Sequence, residues 1–289
     1  MLRRHAVSML FGVLARARAG SFASLDRFFD SAGGAALLID VRTRRPIAVS
    51  GGALATRSLT PPGSTLKPFV LSALIKSGKL SASFSLPCPG RLTIGNRTLD
   101  CSHPPLAAPV RIDTAIAYSC NCFVAQVAAR FEPGELARVL DSYGFGSPSG
   151  LIAGDEASGR VLAARSMDAQ RLQALGEDGI VITAAELALA YRSLALQVAR
   201  PEIQPILDGL EGAVEFGTAQ HARVPGAKFA GKTGSVLTAA GEPIAWFAGF
   251  LPSRAPEVVV VVMLPGRSGG ADAAPVAGRI LAAHRAGRL

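Results

Sequence analysis

The chain has 289 residues, 49% of them hydrophobic and 18% charged, with a formal net charge of +9. It is long and apolar enough to bury a substantial core, as one large domain or two intimate subdomains, which excludes an intrinsically disordered chain. The positive excess favours anionic surroundings, but no Lys/Arg run exceeds two residues and only three Tyr and one Trp offer stacking surface, which sets nucleic acid aside as a partner.

In chain order, Arg3 and Arg4 precede an apolar run from Ala6 to Leu14, and Ala15-Arg16-Ala17 has the form of a small-x-small cleavage site. Residues 1–30 therefore read as a short export signal or an amphipathic N-terminal helix, with a helix over Ser24–Asp30. No 18-residue apolar stretch supports a transmembrane anchor. Ala35–Val41 and Pro46–Ser50, joined by the polar turn Arg42-Thr43-Arg44-Arg45, read as a hairpin. Thr60-Pro61-Pro62-Gly63 breaks the chain just before Ser64, and the spacing of Leu66, Val70, Ala73 and Leu74 predicts a helix from there to about Gly78. Pro68 fits only in its first turn.

Residues 84–110 are Pro-rich and read as irregular, Ile112–Arg130 and Gly134–Ser142 as helical. Thr183-Ala184-Ala185-Glu186 is a capping box opening another helix. Lys228–Lys232, Ile244–Leu251 and Val258–Met263 are strand-like, and Asp272–Arg285 closes as a helix. Strands at both ends with helices between them predict one sheet from residues 31–60 and 215–289, with a helical subdomain over 61–214 inserted. Together they form one domain over 31–289.

Three short motifs carry chemistry. Ser64-Thr65-Leu66-Lys67 puts a hydroxyl and an amine three residues apart, on one helix face. A serine is a weak nucleophile until a base takes its proton, and a lysine whose pKa is depressed by burial or nearby cations can serve. In Ser119-Cys120-Asn121, residues two apart line one cleft only at a break between helices. Ser119 would relay a proton between Lys67 and a leaving amine, and Asn121 would bind a substrate amide. In Lys232-Thr233-Gly234-Ser235, on a strand, Gly234 permits close approach of a peptide-like ligand. Lys232 supplies charge, and the hydroxyls of Thr233 and Ser235 suit a carboxylate. The backbone N–H groups of Ser64 and Ser235 would form an oxyanion hole, each worth about 3–4 kcal/mol to the transition state. Singly, each motif has a bland reading: a solvated lysine, a capping serine, a small-residue turn. Their ordered co-occurrence makes serine acyl transfer the stronger one.

From about Ala35 onward the chain resembles the transpeptidase domain of penicillin-binding proteins. The likeness rests on Pro62-Gly63-Ser64-Thr65-Leu66-Lys67-Pro68-Phe69, Tyr118–Asn121 and Gly231–Ser235, with Gly144-Phe145-Gly146, Gly217-Thr218-Ala219 and Ala245–Gly249 beside them. It implies an α+β fold of the β-lactamase/transpeptidase type, with a five-stranded antiparallel sheet flanked by helices beside an all-helical lobe. It further implies a D-Ala-D-Ala transpeptidase with catalytic Ser64, Lys67, Ser119 and Lys232, acting on peptidoglycan stem peptides, acylated by β-lactams and needing no cofactor for the reaction. Its place would be the periplasm or the outer face of the cytoplasmic membrane. Without a recognisable glycosyltransferase domain, the chain is expected to work beside other cell-wall synthesis proteins. DD-carboxypeptidase, β-lactamase and a non-catalytic β-lactam or peptidoglycan receptor are the alternatives. No Glu-bearing loop of the class A β-lactamase pattern accompanies Asp155-Glu156 or Glu177-Asp178.

Cys88, Cys101, Cys120 and Cys122 fall within 35 residues, beside His103. A Cys88–Cys101 disulfide is the simpler expectation for an oxidising compartment. Cys88, Cys101, His103 and Cys120 are the alternative, as ligands of a tetrahedral zinc, because Cys88-Pro89-Gly90 and Cys101-Ser102-His103 resemble an insertion in some elongation-type penicillin-binding proteins where a zinc site occurs.

Overall fold

The computed structural model describes residues 22–29 and 33–289; the reading of Ala6 to Ala17 as an export signal lies outside them. One sheet organises the chain. Its strands are β1 (Ala23–Ser24), β2 (Ala35–Asp40), β3 (Pro46–Ser50), β10 (Ala230–Leu237), β11 (Pro243–Leu251) and β12 (Val258–Pro265), in the order β1-β3-β2-β12-β11-β10. Short pairs lie apart from it: β4 (Ser85–Leu86) with β7 (Val110–Arg111), β5 (Arg91–Ile94) with β6 (Arg97–Asp100), and β8 (Arg160–Val161) with β9 (Ile180–Val181).

From β3 to β10 every pairing is antiparallel, which matches the expected five strands. The sixth, β1, pairs in parallel with β3 and corrects the helix expected over Ser24–Asp30. The segment carries one buried apolar anchor, Leu25, whose N–H donates to Val49 O at 3.2 Å; a single 3₁₀ turn, Asp26–Phe28, is all the helix that forms. The central strands are apolar along their whole length because both sheet faces are covered. Leu37, Ile39, Val259 and Val261 face one core, and Leu38, Val258, Val260 and Val262 face the other. Helix α7 (Ala184–Ala195) packs on the first face and α9 (Ala274–Arg285) on the second. Thr183 and Glu186 cap α7 reciprocally, as the motif predicts. Buried Glu186 also accepts the N–H groups of Gly146 and Gly159 at 3.1 and 2.8 Å, which ties the Gly144–Gly146 loop to the helix start.

The helical lobe centres on α2 (Lys67–Lys76), buried from Lys67 to Leu74. Phe69 meets Tyr143, Phe145 and Tyr191 edge-on at 4.8, 5.4 and 5.2 Å between centroids, contacts each worth about 0.5–1.5 kcal/mol beyond burial. The segment read as helical over Ile112–Arg130 is two helices, α3 (Ile112–Ala117) and α4 (Asn121–Ala128), parted where the Ser119-Cys120-Asn121 spacing requires a break. The break between them holds Ser119. Within the stretch read as irregular, β5 and β6 form a hairpin whose two-residue turn is Gly95-Asn96, with Gly95 at φ +58°.

Candidate active site

Strand β10 is the edge of the sheet, and a cleft of about 530 Å³ separates it from the helical lobe. Ser64, Ser119, Asn121, Thr233, Gly234 and Ser235 line this cleft, so the three motifs converge. Lys67 and Lys232 are wholly buried beneath it.

Ser64 belongs to a 3₁₀ turn, Gly63–Leu66, that runs directly into α2. In such a turn residues three apart eclipse, which keeps Ser64 and Lys67 on one side. Three buried contacts pin the turn: Trp246 Nε1 donates to Pro61 O at 3.0 Å, Tyr191 OH to Thr65 O at 3.0 Å, and Thr65 Oγ1 to Pro62 O at 2.7 Å. Gly234 serves this packing. A Cβ there would lie 2.9 Å from Pro62 O and 3.1 Å from Thr65 Cγ2. The close approach anticipated for a ligand is thus made in part by the nucleophile's own turn.

Ser119 sits in the left-handed region at φ +57°, a conformation non-glycine residues seldom hold. That twist ends α3 and lets Ser119 and Asn121 turn toward one lysine. Lys67 Nζ donates to Ser119 O at 2.8 Å, Ser119 Oγ at 3.1 Å and Asn121 Oδ1 at 2.6 Å. These occupy all three ammonium protons. Among the described residues no hydrogen bond joins Lys67 to Ser64, whose hydroxyl faces the cleft without a partner, so the direct Ser64–Lys67 bond implied by the motif is not formed in this state. Burial lowers the Lys67 pKa to about 8, and neighbouring thiols partly oppose it. Lys232, donating to Thr233 O at 3.1 Å, is held well below the ordinary lysine range by burial and then by the charge of Lys67.

Asn121 is more committed than expected, since its Nδ2 donates to Asp100 O at 2.9 Å, at the end of β6. It links Lys67 to the hairpin. On the other wall, Thr233 Oγ1 donates to Thr218 Oγ1 at 2.9 Å, and Ser235 Oγ accepts Gly269 N–H at 2.9 Å. Thr218, His221 and Ser268 also line the cleft. They escaped the sequence reading because only tertiary packing brings the segments before β10 and after β12 to it. Gly217-Thr218-Ala219 was the one available signal.

Beside the break, the Cys88–Cys101, Cys101–Cys120 and Cys88–Cys120 sulfurs lie 3.6, 3.8 and 3.4 Å apart, and His103 Nε2 lies 3.6 Å from Cys88 Sγ. No disulfide forms; all four cysteines are free thiols. A Zn–S bond of about 2.3 Å requires S···S edges of roughly 3.8 Å in a tetrahedron, so the donor set fits such an ion. His103 Nδ1 lies 2.8 Å from Pro104 O, and with the proton on Nδ1 the Nε2 lone pair faces the sulfurs. Gly90 N–H and Phe123 N–H donate to Cys88 and Cys120 sulfur at 3.3 and 3.4 Å. Hydrogen bonds from the other thiols, foremost Cys120, hold Cys101 far below the usual thiol range. The same bond pushes Cys120 up, and burial does so for Cys122.

The profile of the penicillin binding protein transpeptidase domain matches residues 34–282. The chain is 27% identical over 262 residues to the probable peptidoglycan D,D-transpeptidase PbpC of Pseudomonas aeruginosa, covering 76% of this chain and 45% of that one. It thus spans less than half the length of that relative. Among solved structures, Pseudomonas aeruginosa PBP2 in complex with WCK 5153 superposes with a TM-score of 0.80 at 20% identity, covering 90% of this chain and 72% of the other. A peptidoglycan glycosyltransferase from Burkholderia ambifaria superposes at 0.80 with 21% identity, covering 91% of each chain. The transpeptidase domain of Burkholderia pseudomallei penicillin-binding protein 3 does so at 0.78 with 22% identity, covering 92% and 91%. With a matching profile across most of its length and the Ser64, Ser119 and Lys232 motifs meeting at one cleft, the chain belongs to the penicillin-binding protein transpeptidase family.

Proposed function

We propose that this chain is a serine D,D-transpeptidase of peptidoglycan stem peptides. The observation that carries the reading is the buried Lys67 amine, within hydrogen-bond reach of Ser119 Oγ and lodged under the turn that presents Ser64 to the cleft. Once Lys67 has shed a proton, it takes that of Ser64 as the oxygen attacks the penultimate D-Ala carbonyl. The backbone N–H groups of Ser64 and Ser235 receive the oxyanion. The peptide C–N bond then breaks, and the proton reaches the departing D-Ala amine from Lys67 through Ser119, which leaves an ester on Ser64. An acceptor amine attacks this ester and gives its proton back along the same path, which restores Ser64. Lys232, buried beside Lys67, is itself held well below the ordinary lysine range by burial and then by the charge of Lys67, and completes the proton network beneath the cleft.

The substrate lies in the periplasm or at the outer face of the cytoplasmic membrane, which is the location this reading assigns to the protein, beside other cell-wall synthesis proteins. The test is covalent labelling by a fluorescent penicillin, expected for the wild type and absent for Ser64→Ala. Labelling of the variant would remove Ser64 as the nucleophile. Mass spectrometry of products from a D-Ala-D-Ala peptide with a competing amine separates transpeptidase from carboxypeptidase. A penicilloyl-enzyme that hydrolyses in seconds would mark a β-lactamase, and stoichiometric acylation without peptide turnover a receptor.

We infer also that Cys88, Cys101, His103 and Cys120 hold a structural zinc that takes no part in acyl transfer. Their donor atoms all lie within 4.8 Å of one another, a separation that suits tetrahedral ligation. Metal analysis of the purified protein is expected to give one zinc per chain; a stoichiometry near zero overturns this.

A further inference from the structure

The set Cys88, Cys101, His103 and Cys120 leaves one thiol of the cluster without a role. Cys122 is buried in the first turn of α4, its sulfur 3.5 Å from that of Cys101. Four sulfur–sulfur hydrogen bonds run through the cluster, and Cys122 enters only this one. With Cys122 matched to Cys101, the thiols left over are Cys88 and Cys120, whose 3.4 Å is the shortest of the four contacts. The cluster thus divides into two pairs that share no residue.

Burial divides the thiols in the same way. Cys88 and Cys101 are half-buried while Cys120 and Cys122 are buried, so each pair has one sulfur open to a solute and one behind it. The pairs also run in a useful direction. Cys88 and Cys101 flank the β5–β6 hairpin, whose base is already closed by Cys101 N–H donating to Gly90 O at 2.7 Å. A Cys88–Cys101 bond would only close the hairpin on itself again. Each cross pair instead ties the hairpin to the break between α3 and α4. The two ties fall on either side of Asn121, whose side chain bonds both Lys67 and Asp100 O.

We propose that Cys88–Cys120 and Cys101–Cys122 are two disulfide-forming pairs, which react with a small-molecule disulfide once metal is withdrawn and then fasten this wall of the cleft in its place. In each pair the outer thiolate attacks the small disulfide, which gives a mixed disulfide and releases one small thiolate. The inner sulfur attacks the mixed disulfide and releases the second. Two protein thiols are oxidised, one small disulfide is reduced to two thiols, and the two protons leave on them. The pairing needs neither acyl transfer at Ser64 nor zinc in the purified protein, so it is tested apart from both readings above.

The experiment strips the full chain with EDTA under reductant, exchanges it into oxidised glutathione, alkylates it and digests it with trypsin without reduction. All four thiol hydrogens should be lost. The fragments holding Cys88 and Cys101, parted by cleavage at Arg91 and Arg97, should each be joined to the fragment that holds Cys120 and Cys122. Cys122→Ser should keep the Cys88–Cys120 link and leave Cys101 open to alkylation; Cys120→Ser should keep Cys101–Cys122 and leave Cys88 open. Hydrogen exchange over residues 88–103 should be fast in the reduced, metal-free chain and slow again after oxidation. Cys88 joined to Cys101, four thiols still open to alkylation, variants with the partners exchanged, or exchange that stays fast after oxidation overturns the proposal. Should a variant fail to fold, fragmentation of the joined wild-type peptides reads the same pairing.

Discussion

The two walls of the cleft are built on opposite principles. The β10 wall is the edge of a continuous sheet, with eight residue pairs to β11 and apolar cores on both faces. Facing it, the hairpin of β5 and β6 has two four-residue strands, a two-residue turn and a single buried side chain, Ile94. Its ion pair, Arg91 with Asp100 at 2.6 Å, has side chains 69% and 64% exposed, where water and salt screen the attraction. What fastens this wall is local: the sulfur cluster, the bond from Asn121 to Asp100 O and the part-buried ion pair of Arg97 with Glu177 at 2.9 Å. A sheet edge is held by area, whereas a short hairpin must be held by a few strong bonds.

Several substitutions break or sharpen this contrast, beginning with the lysine between the walls. Lys67→Met should slow penicillin acylation by about 10³-fold, the range of a lost general base. It should lower the melting temperature as well, since Ser119 O, Ser119 Oγ and Asn121 Oδ1 lose the donor they share. In the wild type, acylation followed by stopped flow should rise with pH through about 8, because Lys67 must shed a proton before it can accept that of Ser64. Stability moves the same way: between about 8 and the ordinary lysine value of 10.5, the unfolded chain holds a proton the folded chain lacks, so unfolding becomes harder as pH rises.

Cys101→Ala, or a strong chelator, should slow acylation by roughly 10–100-fold, the usual cost of loosening support around a site. Hydrogen exchange should then quicken over residues 88–103 while β10 to β12 keep their protection; equal loosening of both walls would refute the contrast. On the sheet side, Trp246→Phe removes the bond to Pro61 O and strands that half-buried acceptor, at about 1 kcal/mol in chemical denaturation. Smallest is Arg91→Ala, which should leave the melting temperature where it was, because the pair lies in solvent.

Much of the molecule was written in local sequence. Continuous apolar runs marked β2, β11 and β12, the capping box marked the start of α7, and three ordered motifs marked Ser64, Ser119 and Lys232. Such features are legible because each depends on neighbours a few residues away. Gly95-Asn96 was also a readable hairpin signal, hidden by the prolines around it. The helix read over Ser24–Asp30 misled because the start of that segment is set by a strand partner, β3, that lies outside its local sequence.

Tertiary structure decided the rest. It turned Lys67 toward Ser119 and Asn121, filled the space above Gly234 with the turn at Pro62, and drew four thiols and His103 together without a disulfide. It also brought His221, Thr218 and Ser268 to the cleft. Sequence fixes which groups are present and which near neighbours they keep. Distances between segments a hundred residues apart, and the burial that shifts a lysine's proton affinity, exist only once the sheet has closed on the helices.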